Sequence, residues 1–378
     1  MRLVYITPGY TQSNHRKGQY LADNGFVVKQ VTSSQQYHAS VLKTQITPNH
    51  ELHPVPIIWP GNPHKGFLLS GLSWVRTFKP DLIAIERDPD TFMALQLAAI
   101  RRLWAPQAKL VFHSWQNVAR PLKVHVRLVL AQTLRAADCI LYANLEGEQI
   151  LRSWGYTGAL INQIWMGVDT TIFQPQNDAS LRQRLMLADK FVIGYVGRLA
   201  AEKGIEDLLH ALPHLPDQVH CVLLGQGEMK SRLIQQVQAL GIASRVHFVG
   251  NIPHTELATY LSMMNVMVLP SHTTTVWKEQ FGRVLIEAMA CGTPVVGSDS
   301  GAIPEVIGNA GLVFPEGDVG ALVDCLRQLI NSTAIRQQLA ANGLCRVESE
   351  FAQSEVSRRV AQCYSQIIQT GRPEQKNI

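Results

Sequence analysis

Glu279-Gln280-Phe281-Gly282-Arg283-Val284-Leu285-Ile286-Glu287-Ala288-Met289-Ala290 places two carboxylates eight positions apart, around a glycine and an apolar run. Val284, Leu285, Ala288 and Met289 follow helical spacing. Gly292, Thr293 and Pro294 stop that helix, and residues 294–297 read as a short buried strand. Glu279 falls just before the helix and Glu287 about two turns inside it, roughly 10 Å further along the axis. That separation is too long for a shared proton and suits two contacts on one long ligand. Between the two acids, the first helical N–H groups near Phe281 and Gly282 lack internal partners. With the helix dipole they form an anion site. The pattern asks for hydroxyls at both ends of a ligand and a phosphate in its middle, the shape of a nucleotide-sugar.

The rest of the chain sets the frame. Its 378 residues are enough for two domains with separate cores. Hydrophobic residues at 46% and charged residues at 17% are ordinary for a soluble α/β protein. No apolar run approaches the roughly 18–20 residues of a membrane span. The first residues, Met1 to Ile6, are interrupted by Pro8-Gly9 and read as a strand, not a leader. The six cysteines are scattered, with no Cys-x-x-Cys and no metal spacing, which suits reduced thiols in the cytoplasm and predicts no metal site. A net charge of +5 fits an anionic small molecule or an anionic membrane surface and is too small to argue for nucleic acid.

Strands and helices alternate twice. In the first half, strands are expected at residues 3–6, 26–31, 81–86, 109–114 and 138–142, with helices at 66–78, 91–104, 122–136 and 145–154. In the second half, strands are expected at 191–197, 219–225, 245–249, 265–270, 294–298 and 311–314, and a long helix closes the chain at 351–369. Two parallel sheets, each covered by helices, follow from that order. Their ligands should gather at the carboxyl ends of the strands. In the second half these ends carry Gly197-Arg198, with Lys203 at the lip of the next helix, and the Gly225-Gln226-Gly227 turn. The dinucleotide pattern Gly-x-Gly-x-x-Gly fails there because position 230 is Lys. Asn251 follows a later strand. In the first half the strand ends carry the 7–17 segment, with Gly9 and the basic residues His15, Arg16 and Lys17, then Glu86-Arg87-Asp88 and His113.

The stretch EQFGRVLIEAMACGTPVVGSDSGAIPEVI resembles the donor site of family 4 retaining glycosyltransferases, the glycosyl transferases group 1. The segment Gly167-Val168-Asp169, continuing through Phe173 to Pro175, resembles the same family at its domain boundary, and the likeness covers nearly the whole chain. It implies the GT-B fold: two Rossmann-like domains facing across a cleft, with the C-terminal helix crossing back to the first. The expected division is 1–173 for an acceptor-side domain, 174–350 for a donor domain, and 351–378 for the crossover helix and tail. The resemblance implies transfer of a hexose from a UDP- or GDP-linked sugar, with retention and without a metal or other cofactor, to a saccharide or lipid-linked acceptor in cell-surface polysaccharide or glycolipid synthesis.

Carried onto this sequence, Arg198 and Lys203 clamp the diphosphate, Glu279 holds sugar hydroxyls, and His113 touches the transferred sugar. Glu287 binds the ribose, and Gly9, Gly225, Asn251, Phe281, Gly282 and Val284 complete the donor site. The family often has a glycine pair where this chain has Gly9 alone. His113 has a structural alternative, and the basic residues of 7–17 either meet an anionic acceptor or stand on a solvated loop, the loop being the favoured reading. The basic amphipathic stretch 120–135 is either a peripheral membrane contact or a helix with one packed and one charged face. Two other readings stand beside transfer: an inactive donor-binding scaffold, and a nucleotide-sugar epimerase or phosphorylase on the same fold.

Overall fold

The structure is a computed structural model, and it describes residues 1–7, 12–34, 44–59, 62, 64–69, 72–163, 166–177 and 179–370, with the backbone alone for 12–15. The chain forms two compact units, Met1–Met166 together with Gln353–Ile378, and Gly167–Ala352. The boundary therefore lies seven residues earlier than the sequence suggests, and the last helix belongs to the first unit.

The first unit is built on β1 (Arg2–Thr7), β2 (Val27–Ser33), β3 (Gln45–Thr47), β4 (His50–Val55), β5 (Ile57–Ile58), β6 (Phe67–Leu68), β7 (Leu82–Ile85), β8 (Lys109–Ser114), β9 (Cys139–Tyr142) and β10 (Ala159–Asn162). Eight of these make one sheet in the order β10-β9-β8-β7-β1-β2-β4-β3. Every pairing is parallel except β3 with β4. Strands buried on both faces need continuous apolar runs, and alternate residues serve opposite cores. Val4, Ile6, Ile83, Ile85, Leu110 and Phe112 pack on one face against Met93, Leu97, Leu130 and Leu134 of two helices. Leu3, Tyr5, Leu82, Ala84, Val111 and Leu141 pack on the other, against Val356, Val360, Tyr364 and Ile367 of the helix Gln353–Thr370. That helix shares this sheet face with Leu21 and Ala22 of the helix Gln12–Asp23.

Two expectations fail in this unit. Residues 66–78 are not one helix: Phe67–Leu68 pairs antiparallel with Ile57–Ile58, and among the described residues of this stretch only Val75–Phe78 is helical. The hairpin satisfies backbone groups that the apolar pattern alone assigns to a helix. The segment from Gln12 to Asp23 is a helix instead of a solvated loop. Its Lys17 is 2% exposed and ion-paired to Glu86 at 2.8 Å.

The second unit has β11 (Phe191–Val196), β12 (Val219–Leu224), β13 (Val246–Gly250), β14 (Val266–Leu269), β15 (Val295–Ser298) and β16 (Gly311–Phe314). All pairings are parallel, in the order β13-β12-β11-β14-β15-β16. The chain starts at the middle strand, fills one side, then crosses to the other. Loops after β11 and β14 thus diverge to opposite faces and leave a crevice at the strands' carboxyl ends. The helix Arg283–Ala290 follows β14 and buries Leu285, Ile286, Ala288 and Met289. Full burial of one such side chain stabilises the fold by about 1.5–3 kcal/mol.

Candidate functional site

Both sides of that crevice carry charge. After β11, Gly197 and Arg198 turn into a short 3₁₀ segment, Ala201–Lys203, which Gly204 ends in a left-handed conformation at φ 61°. Tyr195 donates from its buried hydroxyl to the Arg198 carbonyl at 2.8 Å, which fixes the turn. Burial, with Glu279 adding, pushes the Tyr195 phenol far above its usual range, so it remains a donor. The Arg198 guanidinium is ion-paired with Glu202 one turn on.

After β14, the chain loops from Ser271 to Glu279, with a turn in which Thr274 N donates to the Trp277 carbonyl oxygen at 2.8 Å. Lys203 reaches across and donates to Glu279 Oε2 at 2.7 Å, and the Ser271 hydroxyl donates to the same oxygen at 3.0 Å. The Lys203 and Glu279 side chains are 16% and 11% exposed, so solvent screens the pair only partly. The Trp277 ring lies under the ammonium, 4.4 Å from Nζ to its centroid. The Glu279 backbone is held from below: Ala302 N donates to its carbonyl at 3.0 Å, and a Cβ on Gly301 would stand 2.1 Å from that same oxygen. Only glycine allows this approach, and the 298–305 turn acts here as a support for Glu279.

The helix begins at Arg283, two residues later than Phe281. Gly282, at φ 73°, is its N-cap. A residue in that left-handed conformation cannot continue a helix backward, so Glu287 stands one turn inside instead of two. The helix register gives no intrahelical acceptor to the N–H groups around Gly282 to Val284. Phe281 is buried against Phe351, their ring centroids 5.9 Å apart. Glu287 is 4% exposed and accepts from Arg283 Nε at 2.8 Å, with His254 Nε2 at 3.4 Å. The Phe173 ring packs edge-on against His254 at 5.1 Å.

His254 joins Glu287 to a pocket of about 370 Å³ at the ends of β11, β12 and β13. Gly197, Arg198, Gly225, Asn251 and Ile252 line it. Gly225 is strained for any other residue: at φ 136°, its Cβ would stand 1.9 Å from the Gly197 carbonyl oxygen. The volume lies within the roughly 300–1,000 Å³ of small-molecule sites.

The structure thus brings together Arg198, Gly225 and Asn251 in one pocket, with Glu287 attached to it through His254. It joins Lys203 to Glu279 beside it, and sets Phe281, Gly282 and Val284 at the helix start between the two acids. The sequence reading missed His254, Arg283, Glu202 and Trp277. Arg283 was detectable from its i,i+4 spacing to Glu287. His254 and Trp277 are single residues in loops and carry no spacing signal. Gly9 lies outside the described residues.

His113 belongs to the first unit. It is fully buried, its Nε2 is 2.7 Å from the Tyr364 hydroxyl, and burial together with nearby Lys17 holds its pKa well below the usual imidazole range. Glu86 takes both Lys17 and the Tyr5 hydroxyl. Asp88 accepts from Ser114 Oγ at 2.7 Å and Trp115 N at 3.0 Å, and burial raises its pKa to about 6. Among the described residues, no helix is long and apolar enough to cross a membrane, and no three His, Cys, Asp or Glu side chains cluster at metal-binding distance.

The sequence model of the family described as "Glycosyl transferases group 1" matches residues 177–344. The chain is 29% identical over 314 residues to a glycogen synthase of Mycobacterium tuberculosis, covering 79% of this chain and 72% of that one. It is 35% identical over 214 residues to a GDP-mannose-dependent alpha-(1-6)-phosphatidylinositol monomannoside mannosyltransferase of Mycolicibacterium smegmatis, covering 54% and 56%. The solved structure of a sucrose-phosphate synthase from Thermosynechococcus elongatus superposes with a TM-score of 0.75 at 25% identity, over 97% of this chain and 98% of that one.

Proposed function

We propose, from its likeness to glycosyl transferases group 1 over residues 177–344 and from its GT-B fold, that this chain moves a hexose from a UDP- or GDP-linked sugar to a saccharide or lipid-linked acceptor, with retention of configuration, in cell-surface polysaccharide or glycolipid synthesis. One observation carries the reading. At the switch point of the second sheet, the Lys203–Glu279 pair and the Arg198 pocket lie on either side of one turn.

Transfer breaks the bond from the sugar's anomeric carbon to the diphosphate and forms one to the acceptor oxygen. Negative charge grows on the departing phosphate. Arg198, Lys203 and the N–H groups at the start of the helix Arg283–Ala290 meet that charge, and fixed cations and dipoles of this kind are usually the largest catalytic contribution. They supply the countercharge from the protein itself, so the proposal requires no metal ion. Glu279, held by Lys203 and Ser271, accepts from sugar hydroxyls. Glu287 accepts from the ribose, and Gly225 and Asn251 wall the nucleoside. In a front-face route, the acceptor's proton passes to the departing phosphate oxygen and no carboxylate nucleophile is needed.

Calorimetry with UDP, GDP, ADP and NAD on wild type and Arg198→Ala tests this. A nucleoside diphosphate that binds wild type and binds the variant at least about tenfold more weakly is expected, since loss of one charge-assisted contact costs about 1.5–3 kcal/mol. Binding of NAD alone, or equal binding to both proteins, would sink the proposal.

A further inference from the structure

A second pocket, of about 210 Å³, lies wholly within the first unit, where the helices Phe92–Trp104 and Val124–Ala136 begin. His64, Lys65, Asp90, Phe92, His125 and Val129 line it. It is smaller than the roughly 300 Å³ at which drug-sized sites start, which suits one sugar-sized ring and excludes a nucleotide.

Two features of this pocket have no structural use. Asp90 is 3% exposed. Its Oδ2 accepts from Arg120 at 3.0 Å and lies 3.6 Å from His64 Nδ1. Its Oδ1 is equally buried and has no hydrogen-bond partner among the described residues. An unsatisfied buried acceptor destabilises the fold, and more so when charged. A clamp for Arg120 accounts for one oxygen and leaves the other idle.

The second feature is the start of the helix Val124–Ala136. The neighbouring helix is capped, with Thr91 Oγ1 accepting from Ala94 N at 3.2 Å. This one has Lys123 at its N-cap, no side-chain cap and no acid in its first turn. Cations there oppose the helix dipole. Lys123, His125 and Arg127 all stand in that turn, with Arg120 just before it. A helix start of this kind is relieved by an external anion.

We propose that this pocket binds a phosphorylated sugar or polyol. A ligand hydroxyl donates to Asp90 Oδ1. The phosphate oxygens meet the uncapped N–H groups, Lys65 and His125. The binding site stands on the first unit alone, and its assignment to the acceptor rests on the transfer reading above. The phosphate has two possible sources. Val124 and Leu128, 73% and 63% exposed, stand one turn apart on the same helix, where they would meet the tail of a lipid-borne ligand. A free sugar phosphate would not use them.

The test is calorimetry on the full chain with glucose 6-phosphate, myo-inositol 1-phosphate and inorganic phosphate. Flotation with phosphatidylcholine vesicles, with and without phosphatidylinositol, forms the second arm. UDP and GDP binding is measured on the same samples, so failure here is separable from failure of the donor proposal. At least one phosphorylated polyol, free or on vesicles, should bind wild type. Lys65→Ala and His125→Ala, both at exposed positions, should weaken it about tenfold. Asp90→Asn should weaken the sugar phosphate and leave inorganic phosphate as tight or tighter, since only the former uses the carboxylate. Binding restricted to phosphatidylinositol vesicles and lost in Val124→Ser/Leu128→Ser assigns a lipid source. Binding of the soluble probes assigns a free one. The proposal is overturned if no probe binds while the nucleotide does, if Lys65→Ala and His125→Ala change nothing, or if Asp90→Asn shifts sugar phosphate and inorganic phosphate alike.

Discussion

Gly301→Ala perturbs Glu279 without touching its side chain. A Cβ at position 301 would sit 2.1 Å from the Glu279 carbonyl oxygen and about 3 Å from two further Glu279 backbone atoms. An unstrained contact needs about 3.5 Å, so the Glu279 backbone must retreat by more than about 1 Å. Three costs add. Alanine at φ 55° loses about 1–2 kcal/mol against glycine. Overpacking adds about 1–3 kcal/mol. The Ala302 N to Glu279 O bond, 3.0 Å long, contributes about 1 kcal/mol more when it breaks. A domain of this size should survive that loss with a lower Tm. Function should suffer selectively, because a displacement of about 1 Å at a positioning group can cost about a hundredfold in rate. Glu287 and the Gly225 pocket are held by separate contacts, so nucleoside diphosphate affinity should stay within about threefold. The assay is turnover of a labelled nucleotide-sugar, hydrolysis included, beside calorimetry with the bare nucleotide. Turnover within about threefold of wild type would refute the role given to Glu279. A parallel loss of nucleotide affinity would refute the independence of the two acids.

Three further outcomes are expected. Glu287→Ala strips the partner from Arg283 and His254 and should raise the dissociation constant for UDP or GDP at least about tenfold, and an unchanged constant would remove the ribose contact from the proposal. Lys203→Ala leaves the Glu279 carboxylate enclosed without its cation and should cost about 3 kcal/mol of stability, largely recovered in Lys203→Met/Glu279→Gln; additive losses in denaturant titrations would mean that the pair is not coupled. Asp88 has its pKa raised from 3.8 to about 6 by burial, with Asp90 adding. The folded state therefore holds this proton more tightly than the unfolded one. The stabilisation is complete below pH 3.8 and is lost as pH rises through about 6. Asp88→Asn keeps an acceptor for Ser114 and Trp115 and should be more stable than wild type by about 2–3 kcal/mol at pH 8, and no more stable at pH 4; equal gains at both values would show that the charge is not the cause.

The second unit was the more legible half because phosphate chemistry constrains the backbone. A phosphate needs close approach to N–H groups, and glycines stand where the backbone allows it: Gly197 and Gly225 after strands and Gly282 at a helix start all take positive φ. Such positions leave marks that spacing can detect. The helix start was misjudged by two residues because Gly282 looks from the sequence like a helical residue, while its left-handed φ makes it the cap. The partners of the two acids were harder to see. Lys203 meets Glu279 only because the crossover of the second sheet sets the loops after β11 and β14 side by side. That adjacency belongs to strand order and not to any local pattern.

The first unit shows the opposite case. Hydroxyl-rich ligands are held by side chains on loops, and no backbone rule fixes their spacing. Glu86, which the sequence leaves open between a ligand contact and a structural role, and Lys17, which it favours as part of a solvated loop, are ion-paired partners 69 positions apart, with Lys17 buried. They sit beside Tyr5 at the switch point of the first sheet, where β1 is flanked by β2 and β7. A buried pair of this kind is expensive to desolvate and costs more still when one partner is removed, so Lys17 and Glu86 are committed to each other. The same logic points away from them and toward Asp90. Of the three acids in the segment that follows β7, Glu86 is saturated by Lys17 and Tyr5, and Asp88 is held by Ser114 and Trp115. Among the described residues, Asp90 is the one of these three with a fully buried carboxylate oxygen that no donor meets. Ligand binding in the first unit is therefore sought where hydrogen-bonding capacity is left over, and not where charge is most abundant.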